Sequence, residues 1–137
     1  MNARREPGSD SDDEVPPQIL VVEDEFLQRN AIASVLRDRG ALVAEAANAD
    51  EAWRYLASGY PVDLVFTDHQ MPGSMTGAQL AARIRAEYPK IDVVVVSGNR
   101  ANVKWTEPVV SKPYPLDRTA ADLARRALDA RRKGLES

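Results

Sequence analysis

Apolar residues along this chain gather in short blocks, and longer stretches of mixed character separate them. Ile19-Leu20-Val21-Val22, Val62 to Thr67, Ile91 to Val96 and Val109-Val110 are near-continuous apolar runs, too short for helices, which predicts strands buried on both faces. Leu42 to Ala46 predicts a further short strand. Between these runs the apolar spacing becomes helical. Phe26, Leu27, Ala31, Ile32, Val35 and Leu36 make a broad apolar face that ends at Gly40, a C′ glycine. Asn48 with Glu51 reads as a capping box opening a helix through Ala52, Trp53 and Leu56 that stops at Gly59. Thr76 and Gln79 repeat the box ahead of Leu80, Ala81 and Ile84, and Tyr88-Pro89 closes that helix. Leu116, Ala120, Leu123 and Ala127 define a last amphipathic helix, with Arg125, Arg126, Arg131 and Arg132 on its solvated face. Strands alternating with helices at this rhythm predict an α/β fold, a doubly wound parallel sheet.

Composition narrows the picture. A chain of 137 residues is one domain, with room for a single core but not for a second, DNA-binding domain. Without cysteine there are no disulfides, Cys-ligated zinc or thiol chemistry, and the lone His69 cannot build a His-rich metal site. No apolar run approaches the ~20 residues of a membrane span, and the amino-terminal stretch lacks the apolar segment of a secretory signal. The location expected by default is cytoplasmic. Residues 1–18 set Arg4 and Arg5 against Glu6, Asp10, Asp12, Asp13 and Glu14, a balance of −3 that equals the net charge of the whole chain, so the remainder is formally neutral. A neutral domain argues against nucleic-acid binding. The almost apolar-free segment 1–17 predicts a disordered acidic tail, solubilising or alternatively a lure for a partner; residues 18–133 form the domain and 134–137 a short tail.

The polar groups directly after the strand runs carry the candidate chemistry. In an open parallel sheet, groups just beyond the carboxyl ends of the strands line the ligand-binding crevice. Here they are Glu23-Asp24, Asp68, Ser97 and Lys112. Singly each has an ordinary structural reading as a strand end, an N-cap or a turn residue. Together they form a chemical set. A carboxylate can attack phosphorus to give an acyl phosphate. Converging carboxylates repel one another unless a cation joins them, and hard oxygen ligands suit Mg²⁺. A lysine ammonium and a serine hydroxyl can each pair with a phosphoryl oxygen.

The segments V-V-E-D-E, T-D-H-Q-M-P, V-V-S-G and S-K-P-Y, in that order and with a 44-residue step from Asp24 to Asp68, resemble the receiver domain of two-component response regulators, the CheY-like family, over Gln18 to Arg131. That resemblance implies a five-stranded, flavodoxin-like sheet of order 2-1-3-4-5. It implies Asp68 as phosphoacceptor, with Asp24 and Asp68 as side-chain ligands of Mg²⁺, Gln70 as a ligand through its backbone carbonyl, and Glu23 acting through a bound water. Ser97 and Lys112 are placed on the phosphoryl oxygens, Gly98 leaves space and an N–H beside them, and the Lys112-Pro113 peptide is expected to be cis. The implied donor is a sensor histidine kinase or a histidine phosphotransfer protein, and the implied output is binding to a downstream protein, not to nucleic acid or membrane. Such a protein is a phosphoacceptor that assists its own phosphorylation and dephosphorylation in a bacterial phosphorelay, not an enzyme acting on a separate substrate.

The chain also departs from the common pattern of that family. Fourteen residues separate Ser97 from Lys112, where many members have about twenty, enough for a helix and a strand. The family's fourth helix is therefore expected to be short or absent, as in the FATGUY-related subgroup, although the F-A-T signature is lacking. Val109 stands three positions before Lys112, where many receivers carry an aromatic switch, so signalling by a tyrosine rotamer at that position is excluded. Trp105 and Tyr114 remain as output candidates, with a core role as the alternative for each. The P-G-S-M-T-G loop is one residue longer than the usual M-P-x-x-x-G form. The reading is a single-domain response regulator, or alternatively a receiver from a hybrid kinase. Two other classes stand beside it. One is a phosphorylation-independent interaction module. The other is an aspartate-nucleophile phosphatase of the haloacid dehalogenase type, which needs a second acid where this chain has Gln70. No dinucleotide or P-loop glycine motif is present.

Overall fold

Every apolar run that predicts a strand forms one. The computed structural model describes residues 15–98 and 108–136, the side chains of the last two excepted. In chain order the elements are β1 (Gln18–Val22), α1 (Phe26–Asp38), β2 (Leu42–Ala46), α2 (Ala49–Ala57), β3 (Leu64–Asp68), α3 (Gly77–Glu87), β4 (Asp92–Ser97), β5 (Val109–Ser111) and α4 (Leu116–Glu136). The five strands are all parallel, in the order β2-β1-β3-β4-β5. This is the doubly wound, flavodoxin-like arrangement. The expected short or missing helix between β4 and β5, and Trp105 with it, fall on residues 99–107, outside the described residues, as does most of the acidic segment 1–17.

Strand side chains alternate between two layers because successive Cβ atoms point to opposite faces. Leu20, Val22, Val65, Val93 and Val95 face α2 and α3 and pack with Ala52, Leu56, Leu80 and Ile84. Ile19, Val21, Leu64, Phe66, Val94 and Val96 face α1 and α4 and pack with Ile32, Leu36, Leu123 and Ala127. Continuous apolar strand sequences follow directly from this two-sided burial.

Helix boundaries mostly fall where the sequence signals place them. Gly40 and Gly59, with φ of 95° and 88°, follow α1 and α2 in the left-handed conformation that ends helices. Thr76 and Gln79 form the full reciprocal box at α3. Asn48 caps α2 by accepting from the Glu51 N–H at 2.8 Å, but the Glu51 carboxylate reaches past the cap and accepts from the Ala47 N–H at 2.8 Å, so the second half of the expected box is displaced by one residue. α4 continues to Glu136, so the expected boundary at 133 falls within a helix.

Two burial expectations are corrected. Phe26 and Leu27 are 61% and 78% exposed, because α1 begins beyond the edge of the core and its first turn has no layer to cover it; Leu116, at the start of α4, is exposed at 38% for the same reason. The arginines of α4 are not all solvated. Arg126 pairs with Asp92 at 2.8 Å. The Arg131 side chain, 13% exposed, pairs with Asp63 at 2.6 Å and donates to the carbonyls of Val15 (2.9 Å) and Pro16 (2.7 Å). Asp63 in turn accepts from the Gln18 N–H at 2.8 Å. This node fastens α4 to the entry of β1 and the approach to β3. Arg131→Ala strands a largely buried carboxylate, and we expect a loss of about 2 to 3 kcal/mol of stability, read as a lower urea midpoint; an unchanged midpoint would show that the node carries no weight.

Candidate functional site

The carboxyl ends of β1, β3, β4 and β5 meet in one shallow crevice because the strands are parallel and nearly in register. Val22 pairs with Thr67, Asp68 with Val96, and Ser97 with Ser111. Asp68 is the last residue of β3, in the middle of the sheet, and Ser97 the last of β4. Main-chain bonds extend the order just past the strand ends: Glu23 N–H donates to Ala46 O at 3.0 Å, His69 N–H to Val96 O at 2.8 Å, and Lys112 N–H to Ser97 O at 3.1 Å. Glu23, Asp68 and Ser97 are buried, Lys112 is half-buried and Asp24 is exposed.

Lys112 reaches back across the sheet. Its ammonium donates to Asp68 Oδ2 at 2.8 Å and lies 3.5 Å from Glu23 Oε1. The Lys112-Pro113 peptide is cis. Glu23, Asp24 and Asp68 each bring a carboxylate oxygen to within 4.8 Å of the others. Glu23 Oε2 also accepts from the Glu25 N–H at 3.0 Å.

Crowding and burial shift these groups in an informative way. Burial raises the Glu23 carboxyl to about 7, with the Asp68 charge adding to the rise and the Glu25 N–H and Lys112 opposing it. Burial also works against the charged Lys112 ammonium, yet its hydrogen bond to Asp68 and the charges of Asp68 and Glu23 outweigh that and raise it above its ordinary value. Tyr114 is pushed up to about 12, first by burial and then by the Glu23 charge. Its ring rests edge-on against Phe66, 5.6 Å between centroids.

The donor set fits a hard divalent cation. Three carboxylates offer anionic oxygens close together, the arrangement that Mg²⁺ takes up through one or two direct bonds and waters. A cation there would relieve the repulsion that helps hold the Glu23 proton to neutral pH. Gln70 is the second residue of the β3–α3 loop and is exposed. Among the described residues, no atom lies within 4 Å of where a Cβ on Gly98 would sit. Val109 opens β5 opposite Val95, half-buried. Beside Lys112 a cavity of about 410 Å³ is lined by Gln28, Ala31, Pro113, Tyr114 and Leu116.

Sequence reasoning missed two residues that shape this crevice. Gly77, at the start of α3, lies against the main chain of Asp68. Arg29, on α1, donates to the Glu23 carbonyl at 2.9 Å. The glycine closes a motif segment and offered a faint signal; the arginine, one of many, offered none.

Comparison with known proteins agrees with this fold. Residues 19–112 match the family model described as response regulator receiver domain. The chain is 31% identical over 122 residues to the nitrogen assimilation regulatory protein NtrX of Azorhizobium caulinodans, covering 83% of this chain but 26% of that protein. The chain thus spans about a quarter of the length of that relative. Among solved structures, it is similar to the receiver domain of NtrX from Brucella abortus (33% identity, TM-score 0.68, 81% of this chain and 98% of that one). The receiver domain of the hybrid histidine kinase CckA is comparable, at 31% identity, TM-score 0.68 and the same coverage.

Proposed function

Because the chain belongs to the response regulator receiver domain family, we propose that it accepts a phosphoryl group on Asp68 from a histidine kinase or histidine phosphotransfer protein and signals by a change in protein binding. The observation that carries this reading is the Lys112 ammonium 2.8 Å from the Asp68 carboxylate, inside a cluster of three acids. In the transfer, an Asp68 oxygen bonds to phosphorus as the bond from phosphorus to the donor nitrogen breaks. Glu23, Asp24, Asp68 and the Gln70 carbonyl would hold Mg²⁺, which offsets the repulsion between two anionic reactants. Lys112 passes from the carboxylate to a phosphoryl oxygen, and Ser97 with the Gly98 N–H takes others. The phosphorylated state then favours the loop arrangement in which these bonds are made, a population shift. In this reading the domain begins at residue 18 and takes in α4, the family's fourth helix is degenerate, and output runs through Tyr114, Trp105 or the Val109 edge. Incubation with a phosphohistidine donor tests it: an acid-stable, hydroxylamine-labile phosphate should form with Mg²⁺ and not in excess chelator. A protein that takes up no phosphate from any donor would instead be a phosphorylation-independent interaction module.

The surface around the crevice supports a protein as donor. Phe26, Leu27 and Leu116 are exposed apolar side chains at the starts of α1 and α4, open to contact with a partner protein. Leu27→Ser should slow transfer from a protein donor roughly tenfold, the weight of a moderate hot spot, while labelling by a small phosphodonor and the thermal midpoint stay as they are. Equal loss with both donors would place the defect in the site itself.

A further inference from the structure

The acidic turn after β1 is held from behind by a side chain that touches none of its carboxylates. Glu23 has every polar group engaged. Its N–H bonds to Ala46 of β2, its carboxylate takes the Glu25 N–H and faces Lys112, and its carbonyl accepts from Arg29 at 2.9 Å. Arg29 lies on the first turns of α1, its side chain 16% exposed, and Nε donates to Glu45 Oε1 on β2 at 3.1 Å. The second oxygen of Glu45 accepts from Arg37 at 3.0 Å, and Arg37 also donates to the Val43 carbonyl at 2.9 Å. A chain of charge-assisted bonds therefore runs from the edge strand through Glu45 and Arg29 to the main chain of Glu23.

A guanidinium behind a cation site has opposite effects. Its hydrogen bond fixes the turn that presents Glu23 and Asp24, while its charge repels a divalent cation. Glu45 eases the conflict, because it aims Arg29 and offsets part of the positive charge that Arg29 and Arg37 together bring. We infer that Arg29 and Glu45 are a positioning pair for the cation-binding turn, with Arg29 fixing the Glu23 carbonyl and Glu45 both orienting Arg29 and reducing the positive charge that the ion meets. This rests on the reading of Glu23, Asp24 and Asp68 as a Mg²⁺ site. Outer partners of metal ligands commonly govern affinity by an order of magnitude or more.

The test is a Mg²⁺ titration of the unphosphorylated protein followed by calorimetry or amide shifts, with the thermal midpoint measured in chelator as a control. Glu45→Gln keeps the size of the side chain but removes its charge, and should weaken Mg²⁺ binding roughly tenfold, with the chelator midpoint nearly unchanged. Glu45→Asp, which keeps the charge, should recover part of the loss. A Glu45→Gln protein that binds Mg²⁺ like the wild type overturns the inference, and so does one whose weaker binding is matched by a large fall in the chelator midpoint. Should the wild type itself fail to bind Mg²⁺, the metal-site reading is what falls.

Discussion

Asp68→Asn should leave a folded protein that no longer takes a phosphoryl group from either a histidine-phosphate donor or a small phosphodonor. The amide has the shape of the carboxylate but is not a nucleophile toward phosphorus. Folding should survive because the amide oxygen can still accept from Lys112, now 2.8 Å from Asp68, and because one of three crowded acids loses its charge. The neighbouring Glu23 carboxyl should move down from about 7, since the Asp68 charge is one of the causes that raise it. Acid-stable, hydroxylamine-labile labelling read by intact mass decides the matter: it should drop to background. Undiminished labelling would move the acceptor to another side chain.

Gly77→Ala should be the most damaging glycine-to-alanine change among the described residues. A Cβ there would lie 1.8 Å from the Asp68 carbonyl oxygen, 2.8 Å from its carbonyl carbon and 3.0 Å from the His69 Cα, all of them main-chain atoms with no rotamer to swing aside. The approach is fixed from both sides. Gly77 N–H donates to His69 O at 2.9 Å, the reciprocal bonds of Thr76 and Gln79 set the start of α3, and the side chain of Met75 is buried in the core. Overpacking against such a frame costs about 3 kcal/mol or more, and relief requires the end of β3 to shift with Asp68. Urea unfolding should show the loss, and the surviving folded protein should accept phosphate more slowly. A variant within about 1 kcal/mol of the wild type would mean that α3 can slide away freely.

What could be read in the sequence was what short-range patterns encode. Runs such as Ile19 to Val22 mark strands buried on both faces, and Gly40, Gly59, Thr76 and Gln79 punctuate the helices through local bonds. The crevice was legible because parallel strands turn motif segments far apart in sequence into neighbours. Illegible were contacts whose partner is distant and of a common type. Arg131 meets Asp63 across 68 residues, and Arg29 meets Glu45 across 16; neither pair stands out among the arginines and acids of the chain. Phe26 and Leu27 were misread because periodicity reports which residues are apolar and not whether a layer lies opposite them. Gly77 reads as an ordinary turn glycine until the backbone beside it is seen.

The alternation of strand side chains between two layers has an evolutionary consequence. Ile19 and Val21 answer to α1 and α4, Leu20 and Val22 to α2 and α3, so adjacent codons of β1 are under selection from different neighbours. Substitutions within one layer are expected to couple more strongly to one another than to those in the other layer. What the two layers share is the strand backbone, and Asp68, the last residue of β3, sits at the end of that common ground.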